Sequence, residues 1–278
     1  MDDIIVETWN DFNDVILAGS TNDGLGRVRS GFAYRGVANR NFDLKTSLMR
    51  LGGAYHTLEG HVFRNFKKYA FRETVPENST WNWLALAQHH GLPTRLLDWT
   101  YSPYVALHFV TEDVVTEREG EATVDGVIWC VDRQGVHGLL PESLKELLRR
   151  EKSNVFTAEA LDERANTLGQ LDQLAATEFV LFFEPPSFDE RIVNQFALHS
   201  LMSHPGDRSG PWLTLDRWLE QYPGLCRRII IPARKKWEFR DMLDEINITE
   251  RVLYPGLDGL SRWLKRYYMP RVERSMRT

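Results

Sequence analysis

Short apolar segments of strand length alternate along this chain with segments whose apolar residues recur at helical spacing. Segments typical of buried strands, rich in Val, Ile, Leu and aromatic residues, lie at 31–37, 95–100, 126–131, 179–183, 195–201 and 228–231. Helical spacing is found near 9–16, 54–74, 81–90, 103–109, 141–167, 212–222, 234–246 and 257–268. Because the two kinds of segment are interleaved without a Gly-rich strand-to-helix turn or an internal repeat, the sequence predicts a mixed α+β fold.

No linker rich in Pro, Gly or Ser divides the chain, so we expect one domain over residues 1–278. Its expected parts are an N-terminal helix over 7–18, a core over about 31–203 and a C-terminal segment of helices and a strand over about 211–278. The charged stretch 112–125 has no period and is predicted to be a loop, and a second break is predicted at 203–211.

Charge and cysteine usage exclude several classes of protein. Lys and Arg number 34 against 39 Asp and Glu, which gives a net charge of −5. A mildly acidic chain is not a general nucleic-acid coat, although a local basic groove is compatible with it. Cys130 and Cys226 lie far apart in apolar runs, which predicts buried thiols and a reducing compartment. The acidic N-terminus and the lack of a long apolar run predict a cytoplasmic protein without a membrane span.

The segment 81–100 combines apolar and polar residues more densely than the rest of the chain. Its polar members are Gln88, His89, His90, Arg95, Asp98 and Thr100. Such groups need partners when they lie near a buried surface, so the cluster indicates either a structural network or a binding site. In the structural interpretation, Asp98 caps the following helix or pairs with Arg95.

A metal site is not expected in this segment. Adjacent histidines on a helix project in different directions, so His89 and His90 cannot both bind one ion from one face. A metal-dependent nuclease that uses these histidines with Asp98 remains an alternative. The sequence contains no Gly-x-Ser-x-Gly motif, no phosphate-binding Gly-rich loop and no convincing Cys-His pair.

The tripeptide Tyr34-Arg35-Gly36 is followed by a longer motif over 87–109 and by shorter ones at 190–195 and 253–260. In these segments the chain resembles the FRG domain, a family named for an aromatic-Arg-Gly motif. The resemblance covers nearly the whole chain, and its middle motif is long enough to be specific. It implies family membership but no particular reaction, because the activity of the family is largely unassigned.

A second resemblance concerns the order of three segments, namely 34–36, 98–100 and 190–200. In the order of these segments and in the residue types within them, the chain is similar to ADP-ribosyltransferases of the arginine-toxin-like class. That resemblance implies a split-sheet core with added helices, NAD as co-substrate and a protein or nucleic-acid acceptor. It also implies a toxin or a phage-defence effector as the biological setting.

The same resemblance implies roles for individual residues. Arg35 would hold the NAD phosphates, since a guanidinium group pairs with two phosphate oxygens, and Thr100 would orient the nicotinamide ribose. Either Glu190 or Gln195 would contact the ribose. The remaining residues expected to bind the cofactor are Tyr34, Gly36, His90, Arg95, Asp98 and Tyr104.

The identity of the catalytic carboxylate is left open by the sequence. Cleavage of the nicotinamide bond creates an oxocarbenium-like sugar that a carboxylate stabilises. Gln195 stands at the expected strand start, where its neutral amide can bind a hydroxyl but supplies no charge. Glu190 is the first alternative, and Glu178 and Glu184 are further ones. Without such a carboxylate, the chain would be a non-catalytic sensor that binds a nucleotide or RNA.

A basic run over 262–277 contains Trp263, Tyr267 and Tyr268 between its charges. Two interpretations remain open for it. The first is a nucleic-acid contact through stacking and phosphate pairing. The second is a solvated helix end whose aromatic residues pack on the core.

Overall fold

The structure is a computed structural model that describes residues 3–22, 26–70, 79–112, 124–206 and 210–270. The expected helix end at 74, most of the expected loop over 112–125, part of the break at 203–211 and the basic residues Arg271, Arg274 and Arg277 lie outside the described residues.

The strands follow the predicted segments closely, with additional short ones. They are β1 (Asp3–Ile5), β2 (Thr21–Asn22), β3 (Arg27–Val28), β4 (Phe32–Val37), β5 (Leu96–Thr100), β6 (Gly126–Asp132), β7 (Phe156–Thr157), β8 (Val180–Glu184), β9 (Ala197–Met202) and β10 (Cys226–Ile231).

The helices are α1 (Trp9–Leu17), α2 (Tyr55–Tyr69), α3 (Thr80–His89), α4 (Pro103–Val110), α5 (Arg133–Gly138), α6 (Glu142–Glu151), α7 (Ala158–Arg164), α8 (Leu168–Asp172), α9 (Glu190–Asn194), α10 (Leu215–Glu220), α11 (Lys236–Glu245), α12 (Glu250–Leu253) and α13 (Leu257–Tyr267). The predicted helical region 141–167 is interrupted by β7, which pairs with β8.

The chain is an α+β protein, as the sequence predicts. The described strands form one eight-stranded sheet in the order β1-β10-β6-β4-β5-β9-β8-β7, and β2 and β3 form a separate ladder. The central pairs are antiparallel, whereas β1 with β10 and β7 with β8 are parallel. Strands β4 and β5 are joined through one register pair, Tyr34 with Thr100. The split-sheet core that the resemblance implies stays a prediction.

Both faces of the sheet are covered, which explains why its strands are almost uniformly apolar. On one face, Trp99 and Trp129 pack with Trp218 of α10 in a single core cluster. On the opposite face, Tyr34 and Ile128 pack against α1, α4 and α11. A further cluster joins α3, α6, α7 and α8 to the β8–β9 end of the sheet.

Helix α4 lies directly against β4, next to the aromatic-Arg-Gly motif. The hydroxyl of Ser102 accepts a hydrogen bond from the Val105 backbone, and Pro103 occupies the first turn. A Cβ atom on Gly36 would lie 1.8 Å from the carbonyl oxygen of Ala106. The glycine is therefore needed for the close approach of α4 to the strand.

The predicted strand over 195–201 begins two residues later than expected. Residues Glu190–Asn194 form the short helix α9, Gln195 is its C-cap, and β9 begins at Ala197. Phe196, between them, has a φ of 49°, which turns the chain from the helix into the strand. The shift arises because Asp189 accepts a hydrogen bond from the Ile192 backbone and so starts a helix.

Cys130 and Cys226 are both free and buried, which confirms the prediction of two buried thiols. Among the described residues, none of the helices has the length and apolar character needed to cross a membrane.

Candidate functional site

A cleft of about 260 Å³ opens where three neighbouring strands, β4, β5 and β9, lie side by side. Helix α3 and the α9–β9 corner form its other walls. The residues that line it are Tyr34, Arg35, Gly36, Gln88, His89, Asp98, Trp99, Thr100, Phe109, Arg191, Ile192, Gln195, Ala197 and His199. Three segments that are far apart in the sequence thus contribute to one site.

Arg35 supplies a positive charge to this cleft from β4. Its Nη1 atom donates a hydrogen bond to the backbone carbonyl oxygen of Asp98 at 2.5 Å. Its Nε atom is buried and has no hydrogen-bond partner. Burial lowers the pKa of the guanidinium, and Arg50 lowers it further, while Asp98 opposes the shift. The Nε–H group is therefore a buried donor without a partner in a residue that lines the cleft.

Asp98 supplies the negative charge. Its side chain is 61% exposed and borders the cleft. Gln88 donates through Nε2 to both carboxylate oxygens, at 3.1 and 3.0 Å. His199 lies directly opposite on β9, with its Nδ1 atom 3.2 Å from Asp98 Oδ1. Partial desolvation by the cleft walls raises the pKa of the carboxyl, but His199, Arg35 and Gln88 together lower it below its usual value.

The amide of Gln88 is itself held in one orientation. Thr94 donates its hydroxyl hydrogen to Gln88 Oε1 at 2.5 Å, and the Thr94 backbone N–H donates to Ser47 at 3.0 Å. The Gln88 nitrogen must therefore face Asp98. The chain reverses between these residues at Gly91, which has a φ of 81°.

Thr100 and Gln195 also reach the cleft, but each is already hydrogen-bonded. Thr100 is 3% exposed, and its hydroxyl oxygen accepts from the Ser102 backbone N–H at 3.0 Å. Gln195 donates through Nε2 to the carbonyl oxygen of Leu253 at 3.0 Å. Its amide oxygen is the atom with which it can accept a hydrogen bond from a ligand hydroxyl.

Four residues for which the sequence suggested a site role lie outside this cleft. Glu190 borders a neighbouring depression of about 480 Å³, and His90 is exposed at the end of α3. The Arg95 side chain is fully buried, and it pairs there with Glu59 and Asp172. Tyr104 packs on Trp9 near α1, and its hydroxyl donates to Asn13.

The other two carboxylate candidates are also elsewhere. Glu184 accepts a hydrogen bond from the Tyr101 hydroxyl at 2.7 Å, and this contact raises the pKa of Tyr101, which burial already elevates. Glu178 borders a shallow depression beside α10. Neither residue lines the cleft.

Several cleft residues had no assigned role in the sequence interpretation. Gln88 is a polar member of the segment 81–100 and Arg191 lies in the motif at 190–195, whereas His89 was weighed only as a metal ligand of a nuclease. The pairing of His199 with Asp98 was not predicted, because Asp98 lies about one hundred positions earlier in the chain. The pairing of β5 with β9 places His199 directly opposite Asp98.

No metal centre is found within the ranges that the structure describes, where no three His, Cys, Asp or Glu side chains are grouped to hold an ion. His89 instead pairs with Asp189, at 2.6 Å between Nε2 and Oδ2. The basic helix α13 buries one of its cations, because Arg266 pairs with Asp244 and Glu250. Tyr267 and Tyr268 remain exposed at its end.

Part of the chain matches a known protein family. Residues 30–119 match the family model described as the FRG domain. No curated protein and no solved structure matches the chain. The matched segment contains Arg35, Gln88 and Asp98 and ends before the α9–β9 corner.

Proposed function

With an FRG domain over residues 30–119 as the premise, we propose that this chain binds NAD in the cleft and transfers its ADP-ribose to an acceptor nucleophile. The observation that carries the proposal is the meeting of Arg35, Thr100 and Gln195 in one cleft. These are the residues that the resemblance to ADP-ribosyltransferases selects from three distant segments.

The polar groups of the cleft suit the two ends of such a ligand. Arg35 has a buried, unpartnered Nε–H group, and Arg191 places an exposed guanidinium at the rim. Both can pair with phosphate oxygens, because guanidinium groups bind them in a fork. Phe109 and Ile192 provide apolar surface for the nicotinamide ring. A cleft of about 260 Å³ holds the nicotinamide riboside part, so the adenosine part would lie along the rim.

The proposed reaction breaks the bond between C1′ of the ribose and the nicotinamide nitrogen. The bonding electron pair leaves with the nitrogen, which releases neutral nicotinamide. A lone pair of the acceptor then forms the new bond to C1′, and the acceptor proton passes to solvent. The acceptor is a nucleophile of a protein or nucleic acid, and water takes its place in its absence.

The test is a calorimetric titration with NAD combined with an assay for nicotinamide release. Replacement of Arg35 by Ala should weaken NAD binding about 10- to 100-fold, since it removes a charge-assisted hydrogen-bond donor. Arg164→Ala is the matched control, because Arg164 is exposed on α7, away from the cleft. Equal affinities in wild type and Arg35→Ala would contradict the proposal.

A second candidate function is a non-catalytic nucleotide sensor. The observation that favours it is Gln195, whose neutral amide supplies no charge and donates to the Leu253 carbonyl. NAD binding without nicotinamide release would select this alternative.

An active transferase of this kind would suit a toxin or a phage-defence effector, since it would consume cellular NAD. Expression of the wild-type chain in bacteria should then lower the NAD level, and Arg35→Ala should not.

A further inference from the structure

We infer that Asp98 is the catalytic carboxylate of the proposed reaction, and that Gln88 and His199 position it. The inference rests on the proposed function and adds to it the group that stabilises the sugar cation. Among the described residues that line the cleft, Asp98 is the one carboxylate.

The carboxylate of Asp98 is held in one orientation by its neighbours and is still exposed at the cleft. Gln88 bonds both of its oxygens from one side, and the His199 ring lies 3.2 Å from Oδ1 on another. A side chain that only filled a structural network would be buried by such partners. Asp98 instead keeps 61% of its side chain exposed at the cleft. The arrangement is that of a group oriented toward a ligand.

The carboxylate is not neutralised by the nearby guanidinium. Arg35 donates its hydrogen bond to the backbone carbonyl oxygen of Asp98 and not to the carboxylate. Arg35 and the carboxylate of Asp98 therefore present opposite charges to the same cleft. A ligand with phosphates at one end and a developing cation at the other would meet both charges favourably.

The alternatives are placed less well for this role. Glu190 borders the neighbouring depression with Tyr254 and Arg262, and Glu184 is bonded to Tyr101. Gln195 carries no charge. Since a lower pKa keeps the Asp98 carboxyl ionised at neutral pH, it supplies negative charge without a proton transfer.

In the inferred step, the negative charge of Asp98 faces C1′ as the bond to nicotinamide breaks, and the carboxylate accepts a hydrogen bond from a ribose hydroxyl. No covalent bond to Asp98 is required. The bonding electron pair departs with nicotinamide, and a lone pair of the acceptor forms the new bond to C1′.

The experiment compares wild type, Asp98→Asn and Glu190→Gln for NAD affinity and for nicotinamide release. We expect Asp98→Asn to bind NAD within about threefold of wild type and to lose about 100- to 1,000-fold in kcat, as electrostatic groups of this kind do. Asp14→Asn is the matched control, because Asp14 is exposed on α1 outside the cleft. Thermal unfolding checks that each variant is folded.

Turnover within tenfold of wild type in Asp98→Asn would overturn the inference, and an equal loss in Glu190→Gln would do the same. Both results would leave the proposed function standing, since wild type would still cleave NAD. A wild-type chain that neither binds nor cleaves NAD would overturn the proposed function together with the inference. Binding without cleavage would overturn the inference and select the sensor.

A second variant keeps the inference testable if Asp98→Asn does not fold. Gln88→Met removes both hydrogen bonds to the carboxylate without changing its charge. We expect kcat to fall about tenfold with KM nearly unchanged, because a positioning contact acts on the transition state. An unchanged kcat would overturn the positioning role of Gln88 and with it the inference.

Discussion

Within the aromatic-Arg-Gly motif, Gly36 allows α4 to pack closely against β4, whereas its neighbour Arg35 contributes a charged group to the cleft. A side chain at position 36 would collide with the backbone of α4, which carries the Ala106 carbonyl oxygen. Gly36→Ala should therefore lower the free energy of unfolding by about 3 kcal/mol, because a backbone must move to admit the methyl group. Urea denaturation with a constant slope measures the change.

Gly60→Ala is the matched control for this substitution. Gly60 is exposed inside α2, and a Cβ atom there meets nothing within 4 Å. Alanine should stabilise this helix by about 1 kcal/mol relative to glycine. Equal and small effects at both positions would show that α4 does not require a glycine at position 36.

The cleft residues differ in how far the sequence could identify them. Arg35 and Thr100 lie in the segments that carry the resemblance to ADP-ribosyltransferases, and it was that resemblance that selected them. His199 and Gln88 gain their importance from Asp98, which the fold brings to them. The contact of His199 with Asp98 joins distant segments and leaves no local pattern. The contact of Gln88 with Asp98 lies within one motif, but it depends on the reversal of the chain at Gly91.

At the scale of elements, the α9–β9 corner is where the sequence interpretation and the structure differ most. A helix of five residues is too short for an apolar period, so the sequence did not predict α9 at Glu190–Asn194. In the structure the corner is tied to the segment before α13. Asn194 and Gln195 donate to the neighbouring carbonyl oxygens of Val252 and Leu253, at 2.9 and 3.0 Å.

These two amides form a natural comparison, because only Gln195 lines the cleft. Asn194→Ala and Gln195→Ala should each lower the free energy of unfolding by about 1 kcal/mol, the usual contribution of one such hydrogen bond. Only Gln195→Ala should also weaken NAD binding, about threefold to tenfold, as calorimetry would measure. A similar loss of affinity in Asn194→Ala would assign the effect to the corner and not to the Gln195 side chain.

At the scale of the whole molecule, the order of the strands in the sheet could not be predicted from the sequence. Apolar segments predicted most strands, but β1 is only three residues long and pairs with β10 near the other end of the chain. The N-terminal and C-terminal segments thus enter the same sheet as the cleft strands. Local pattern predicts elements, whereas pairing partners depend on the packing of all elements together.

A buried ionic cluster further connects distant parts of the molecule. Arg95, at the start of β5, bonds Glu59 of α2 through two nitrogens and Asp172 of α8 through a third, and it stacks 5.0 Å from the Trp212 ring. The two carboxylates raise the pKa of Arg95 against the effect of burial. The cation is therefore fully charged, and it pairs with both acids.

Replacement of Arg95 by Met should consequently lower the free energy of unfolding by about 3–5 kcal/mol at pH 8, because two buried carboxylates lose their counterion. Urea denaturation of both chains at pH 8 measures the change. Arg149→Met, which removes an exposed partner of Glu142, should leave stability nearly unchanged. A loss in Arg95→Met no larger than that in Arg149→Met would contradict this account of the cluster.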